Sequence, residues 1–393
     1  MYICQAQCAR LLRNADGQIV GRLPRSCWAR RGFATNNLDE ATNAMIKEYG
    51  AMKPRPASLK QILDTLQPWK IAKFLQTEYP IRCAERIVMI ESIPNWDQVP
   101  ELVRSHHRHS RAFRDMRLVS RKPTLDAFTA LVDSIVNENR DIVLLMAAGM
   151  HRLSQQSDNV GAKFVDSFLN DFFLNRLGTN VLLSQYLACV DARPKGIVDP
   201  NCDVAKICRK VARDVMGICD QHVGYSPVIH VEVHSTATGD DDVPKFSYIP
   251  GALEYIVQEL LKNSSRATIE AFSSEAQLER HPIVIVVCAD ERRVMIHISD
   301  RAGGIPFDVG QHVWSYLYTT ARKGKPSSLA GYGVGLPLSR VYASYLGGSL
   351  DLVSLPGYGT HAYVHLPRIS AEQVEVVPDK DHSWSGPTLK FVL

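Results

Sequence analysis

The sequence predicts a helical bundle followed by an α/β sandwich, one mixed sheet with helices on a single face. Three observations carry this expectation. Between about residues 40 and 220, apolar side chains recur at helical spacing with short polar connections. After Gly224 the period falls to two, with Ile229, Val231 and Val233 alternating with His230, Glu232 and His234. A long amphipathic helix then lies among the strands of that second region, so strands and helices share one core.

A chain of 393 residues can build two or three domains with sizeable cores. The formal net charge is +4 without a long block of either sign, which argues against a nucleic-acid surface. Asp240-Asp241-Asp242 is short enough to be a solvated loop. The nine cysteines show no CxxC pair and no metal spacing with histidine, the pattern of thiols in a reducing compartment. The longest apolar run, Ile142 to Met150, falls far short of the roughly 20 residues a bilayer span needs, so no membrane insertion is expected.

Residues 1–37 differ in kind. They hold Arg10, Arg13, Arg22, Arg25, Arg30 and Arg31, no lysine and a single acid, Asp16. That is the composition of a mitochondrial transit peptide, with Arg30-Arg-Gly-Phe-Ala34 as the processing region. A disordered basic tail is the alternative. The segment is set apart from the fold, and the mature protein is placed in the mitochondrial matrix.

Residues 38–222 are expected to form the bundle. Pro54, Pro56 and Pro68 punctuate its start, and Ser58-Leu-Lys-Gln61 has the form of a capping box. The clearest helix spans about 125–151, where Leu125, Phe128, Val132, Ile135, Ile142, Met146 and Gly149 make a buried seam. Asn139 falls on that seam, as a hydrogen-bonded core residue or facing a site. A further helix carries Phe164, Phe168, Phe172 and Leu174, and another covers Val204 to Val223. Together these make a bundle of about four helices. His106, His107 and His109 lie on a polar stretch and are expected at the surface rather than around a metal.

Residues 223–393 form the second region. Pro282–Ala289 and Val294–Ile298 flank the turn Asp290-Glu-Arg-Arg293 as a hairpin whose second strand ends at Asp300. Leu350–Leu352 and Tyr363–Leu366 flank Pro356–Thr360 as a closing hairpin.

Chemistry concentrates in four stretches. On the helix of about Gly251–Ala271, Leu253, Ile256, Val257, Leu260 and Leu261 make the apolar face, and Glu259, Lys262, Asn263 and Arg266 project opposite. A carboxylate and a carboxamide one turn apart can hold a cation and a hydroxyl together, though ordinary charge pairs on a solvated face share this pattern. Asp300-Arg-Ala-Gly-Gly304 ends a strand, so its carboxylate can accept from an exocyclic amine while the glycines let backbone approach closely. Gly331-Tyr-Gly-Val-Gly-Leu336 precedes an amphipathic helix, Pro337 to Tyr345, as a phosphate cradle of backbone N–H groups. Between them Thr319–Lys325 is long enough to close as a lid, and Gly357-Tyr-Gly-Thr360 adds a hydroxyl.

Each piece alone is weak; the four in this order are specific. They resemble the N, G1, G2 and terminal glycine boxes of the GHKL superfamily, which implies a GHKL-type α/β sandwich. No GxxxxGK[ST] loop and no HRD or DFG motif is present. Gln258–Thr268, Ser299-Asp-Arg301, Tyr318-Thr-Thr-Ala321 and Gly335–Arg340 are similar to the mitochondrial 2-oxo acid dehydrogenase kinases. So are Lys53–Ser58, Tyr79–Arg82 and Arg176–Gly178, which extends the likeness over nearly everything after residue 45.

The resemblance implies a protein-serine kinase that uses ATP and Mg2+ to phosphorylate and inactivate an E1α subunit. It also implies docking on a lipoyl-bearing domain of the E2 acyltransferase core, and a homodimer. Glu259 would be the general base and Asn263 the metal ligand. The nucleotide would be held by Glu259, Lys262, Asn263, Arg266, Asp300, Gly304, Thr319, Thr320, Gly331, Tyr332, Gly333, Val334, Gly335, Leu336 and Thr360. Tyr255, Tyr342–Leu350 and Ser354–Thr360 favour, narrowly, the branched-chain kinase, whereas Asp199-Pro-Asn-Cys202 and the Lys53-Pro54 start favour the pyruvate dehydrogenase kinases. A nucleotide-binding regulator or a GHKL ATPase without protein kinase activity is the further alternative. Two positions depart from the family: Ala302 replaces the first G1 glycine, and Asn139 stands where a histidine usually faces the active site.

Overall fold

A computed structural model describes residues 40–58, 61–62, 66–120, 124–157, 160–191, 196–235, 245–272, 274–318, 333–368, 375–377 and 389–391. The 1–37 segment, the Asp240–Asp242 run, the Thr319–Lys325 stretch, Gly331 and Tyr332 lie outside them.

A short helix α1 (Glu40–Gly50) leads into α2 (Pro68–Glu91) and α3 (Pro100–Val119). Then come α4 (Leu125–Glu138), α5 (Ile142–Gln156) and α6 (Ala162–Val190). The Ser58/Gln61 box forms, with each side chain bonding the other's backbone N–H at 3.0 and 3.1 Å. Helix α2 packs on α3 and α6, and these two pack in turn on α4 and α5, giving four columns. Phe128, Val132, Ile142 and Met146 face inward, as their spacing predicts.

Two expectations change here. The single helix over 125–151 is two helices, broken at Asn139–Asp141. Asn139 caps α4 instead of lying inside a helix, and its Nδ2 donates to Ile135 O at 3.0 Å. A short polar side chain that bonds a backbone carbonyl competes with helix continuation. Apolar periodicity passes through this break because both helices bury the same side. The histidines also differ: His106 and His109 are buried, while His107 is exposed. Burial, with Arg86 nearby, pushes the His109 imidazole down to about 3, so it packs as a neutral ring against Phe172. Among the described residues no group of three ligating side chains could hold a metal. Among them, too, no helix is long and apolar enough to cross a membrane.

Strand β1 (Asp199–Cys202) pairs antiparallel with β3 (Phe246–Tyr248) as a small ribbon the period did not reveal. Among the described residues the main sheet has six strands: β2 (Ile229–Ser235), β4 (Ile283–Ala289), β5 (Arg293–Ser299), β6 (Ser349–Leu355), β7 (Gly359–Pro367) and β8 (Leu389–Phe391). Their order is β2-β4-β5-β7-β6-β8, with β2/β4 and β6/β8 parallel and the other pairs antiparallel. Ile285, Ile296 and Val364 lie on the inner face, under α7 (Val204–Val223), α8 (Pro250–Ala271) and α11 (Gly335–Tyr345). Between them in the chain lie the short α9 (Glu275–Arg280) and α10 (Phe307–Gly310). Helix α7, grouped with the bundle on sequence, packs on α8 and β2. Its apolar stripe (Val204, Cys208, Val211, Val215) is buried there.

A buried ion pair ties the two halves together. Glu375 accepts from both terminal guanidinium nitrogens of Arg82, from the Tyr345 hydroxyl at 2.8 Å and from the Ala57 backbone N–H at 2.8 Å. Arg82 also bonds Glu78 at 2.9 Å and the Arg55 carbonyl at 2.8 Å. Arg82 is 2% and Glu375 4% exposed, so removing Arg82 strands two buried carboxylates, and removing Glu375 leaves the guanidinium, the Tyr345 hydroxyl and the Ala57 N–H without their shared acceptor. Glu375→Ala is expected to destabilise the fold by roughly 3–5 kcal/mol, read as a lower denaturant midpoint. An unchanged midpoint would show that the pair is no brace.

Candidate active site

The site is built on α8. Its apolar stripe of Leu253, Ile256, Val257, Leu260 and Leu261 is buried, which fixes the opposite face toward the space below α11. Glu259, Asn263, Ser264 and Arg266 line a cavity of about 210 Å³ there. Its other walls include Asp300, Thr360, Gly333, Gly335 and Leu336. Ile298, Leu352 and Ala362 of the sheet contribute an apolar side suited to a flat ring.

Lys262, only 8% exposed, donates to Glu259 Oε1 at 2.8 Å, so the lysine holds the carboxylate in place. The other oxygen faces the start of α11: a Cβ on Gly335 would collide with Glu259 Oε2. A bare backbone at that position lets the positive end of α11 approach the carboxylate. Val334 is the N-cap of α11 and provides no side-chain cap, consistent with backbone N–H groups directed at a ligand. Tyr255, one turn before Glu259, packs at a 36° tilt against Tyr342 with centroids 4.7 Å apart. Burial, then the Glu259 charge, raises its phenol well above the ordinary range.

Asp300 sits just beyond β5, 3% exposed. Its Oδ1 accepts from the backbone N–H groups of Ala302 at 3.1 Å and Thr360 at 3.2 Å, and its Oδ2 from the Ser264 hydroxyl at 2.9 Å. Burial raises this carboxyl, and the Ala302, Ser264 and Thr360 donors oppose that rise. Thr360 thus supports Asp300 through its backbone, a contact set by the β5/β7 register. Gly304 has φ +78, and a Cβ there would lie 2.6 Å from Leu355 O, so the loop tolerates only glycine at that point. Ala302 is different. Among the described residues Asn95 alone is a non-glycine with positive φ, so alanine at 302 carries no left-handed strain.

Asn139 is not among the cavity's lining residues. Its carbonyl accepts from Arg176 at 3.0 Å, and Arg176 acts electrostatically on Tyr255. Of the nucleotide residues expected on sequence, the cavity gathers Glu259, Asn263, Arg266, Asp300, Gly333, Gly335, Leu336 and Thr360. Lys262, Val334 and Gly304 do not line it: Lys262 bonds Glu259, Val334 caps α11 between Gly333 and Gly335, and Gly304 lies against the Leu355 carbonyl. Thr319, Thr320, Gly331 and Tyr332 lie outside the described residues. Sequence reasoning missed Ser264, whose signal was its place next to Asn263. It also missed Ile305, Val309 and Val313, which reach the cavity just after the G1 glycines.

Two expected outcomes follow from the loop geometry. Ala302→Gly changes nucleotide affinity by less than about twofold, because no strain is released. Gly304→Ala lowers both thermal stability and nucleotide affinity, by about tenfold or more in the latter, since the Leu355 carbonyl must move. Calorimetric titration of the two variants checks both.

Two family profiles match the chain. Residues 56–220 match one described as mitochondrial branched-chain alpha-ketoacid dehydrogenase kinase. Residues 249–370 match the histidine kinase-, DNA gyrase B-, and HSP90-like ATPase. Among curated relatives, a mitochondrial [pyruvate dehydrogenase (acetyl-transferring)] kinase of Drosophila melanogaster is 30% identical, over 85% of this chain and 86% of its own length. The Arabidopsis thaliana kinase of the same name is 30% identical over 84% of this chain and 94% of its own. Isozyme 4 of Homo sapiens is 31% identical over 85% and 86%. Both halves of the chain, in this order, are thus accounted for by one set of relatives named as mitochondrial. The chain belongs to the mitochondrial 2-oxo acid dehydrogenase kinases, ATP-dependent protein-serine/threonine kinases built on the GHKL ATPase fold.

Proposed function

We propose that this enzyme transfers the γ-phosphate of ATP to a serine of the pyruvate dehydrogenase E1α subunit, in the mitochondrial matrix, and so inactivates it. The carboxylate of Glu259, held by Lys262 at 2.8 Å beside the first turn of α11, carries the reading of the chemistry. The choice of pyruvate rests on the relatives, which are named for pyruvate dehydrogenase. It replaces the narrow branched-chain preference drawn from Tyr255 and the C-terminal hairpin. The branched-chain complex stays as the second reading because the profile over residues 56–220 carries that description.

In this reading Asp300 accepts from the adenine amine, and Ile298, Leu352 and Ala362 cover the ring. The N–H groups around Gly333 and Gly335 face phosphate, with Arg266 on the cavity wall adding positive charge. Glu259 takes the serine proton as the serine oxygen attacks the γ-phosphorus in line. The new phosphorus–oxygen bond forms as the bond to the β-phosphate breaks, and ADP departs. Lys262 positions Glu259 throughout.

Magnesium takes few protein ligands beside substrate phosphates and keeps several waters. The Asn263 carboxamide on the cavity wall fits as the protein ligand of such an ion, and no closed cage is required. Asn263 would hold it, where it would neutralise charge on the β- and γ-phosphates. The transit peptide at 1–37, division of the mature chain into 38–222 and 223–393, docking on a lipoyl-bearing E2 domain and a homodimer belong to the same proposal. Docking would raise the local concentration of E1α around the cleft.

The test is labelled-phosphate transfer to purified pyruvate and branched-chain E1α presented separately. Label on pyruvate E1α alone is expected; label on the branched-chain subunit alone would reverse the substrate reading. Glu259→Gln is expected to lower transfer by about 100-fold or more while ATP affinity stays within about twofold. Asn263→Ala is expected to abolish the magnesium dependence of ATP binding. Retained transfer in the first variant would remove Glu259 from the base role.

A further inference from the structure

We propose that Ser264 is a second base-reading residue, which with Asp300 selects an exocyclic amine on the purine. This deepens the nucleotide reading above and rests on it. A carboxylate offers about four lone-pair sites. On Asp300 two of these meet the Ala302 and Thr360 backbone N–H groups through Oδ1, and a third meets the Ser264 hydroxyl through Oδ2 at 2.9 Å. One site on Oδ2 remains, and both Asp300 and Ser264 line the cavity.

The hydroxyl has one proton and two lone pairs. Its proton goes to the buried carboxylate, the strongest kind of acceptor, in a charge-assisted bond. What the cavity then presents is Asp300 Oδ2 and Ser264 Oγ side by side, two acceptors and no donor. An amine with two N–H bonds satisfies that pair. A 6-oxo group brings a third acceptor to it and is repelled, unless the serine gives up its bond to the carboxylate. A purine bearing only hydrogen at C6 leaves both acceptors without a partner. Ser264 thus acts directly, as an acceptor, and through Asp300, by holding Oδ2 in place. Helix α8 makes the arrangement rigid, since Leu260, Leu261 and Ser265 around it are buried.

The test is equilibrium binding of three nucleotides to the wild-type chain, Ser264→Ala and Ser264→Thr. The three are ATP, ITP and purine riboside triphosphate, which carry amino, oxo and hydrogen at C6. In Ser264→Ala, ATP affinity is expected to fall about tenfold, with the affinity for the C6–H nucleotide within about twofold of wild type. ITP is expected to gain relative to ATP. Ser264→Thr keeps a hydroxyl and is expected to restore the ATP preference. A variant that merely disturbed the helix would weaken all three nucleotides alike, and that result would overturn the proposal. So would an unchanged ratio of ATP to the C6–H nucleotide in Ser264→Ala. Failure of the wild-type chain to bind ATP at all would overturn the nucleotide reading as well.

Discussion

The Arg82–Glu375 ion pair is the constraint on which the arrangement of the two halves depends. It joins four stretches far apart in sequence: the N-terminal segment at Arg55 and Ala57, α2 at Glu78 and Arg82, α11 at Tyr345, and the C-terminal segment at Glu375. Three charges removed from water, those of Glu78, Arg82 and Glu375, cost several kcal/mol each unless their bonds are satisfied. Here the carboxylate has donors on both oxygens and the guanidinium has three acceptor groups, so the network closes. Gly178 of α6 is part of it, because a Cβ there would meet the Arg82 guanidinium at 2.6 Å. The burial that makes the pair costly is also what makes it specific: any relative shift of α2, α6 or α11 would break it.

That pair sits at one end of α11, and the Gly335 turn that lines the cavity sits at the other. An 11-residue helix spans about 16 Å, and its first residue backs onto Glu259. The helical half therefore helps to position the Glu259 carboxylate through α11. A second cross-link reinforces this along α6. Asp166 accepts from the Ser315 hydroxyl at 3.1 Å and the Tyr316 N–H at 2.9 Å, and the Tyr316 hydroxyl donates to Asn170 at 2.9 Å. Tyr316 also packs edge-on against Phe173. The cavity of α8 is thus framed by elements that the bundle holds in register.

Much of the site was legible in the order of its motifs. Glu259, Asn263, Asp300, Gly333, Gly335 and Thr360 are brought to one cavity from four separate elements, as their box-like spacing implied. What spacing did not carry was how those residues contact each other. Thr360 serves Asp300 by its backbone N–H, a consequence of strand register. Ser264 stands beside Asn263 in the sequence yet bonds the aspartate 36 residues away. Asn139, marked by its departure from the family pattern, caps α4 and does not line the cavity. The Ala302 departure is harmless for a reason only a dihedral angle reveals.

By itself the sequence determined the alternation of apolar residues, hence which stretches are helices and strands and which faces they bury. Those are local periodicities, set by 3.6 and 2 residues per repeat. It also determined the helix starts that rest on neighbouring residues, such as the Ser58/Gln61 cap. Tertiary structure alone decided the break at Asn139, the burial of His106 and His109, the packing of α7 with the sheet, and the β1/β3 ribbon. It alone decided that Glu375 belongs with Arg82, 293 residues earlier. Each of these depends on which surfaces meet across long chain separations, and no local repeat encodes that meeting.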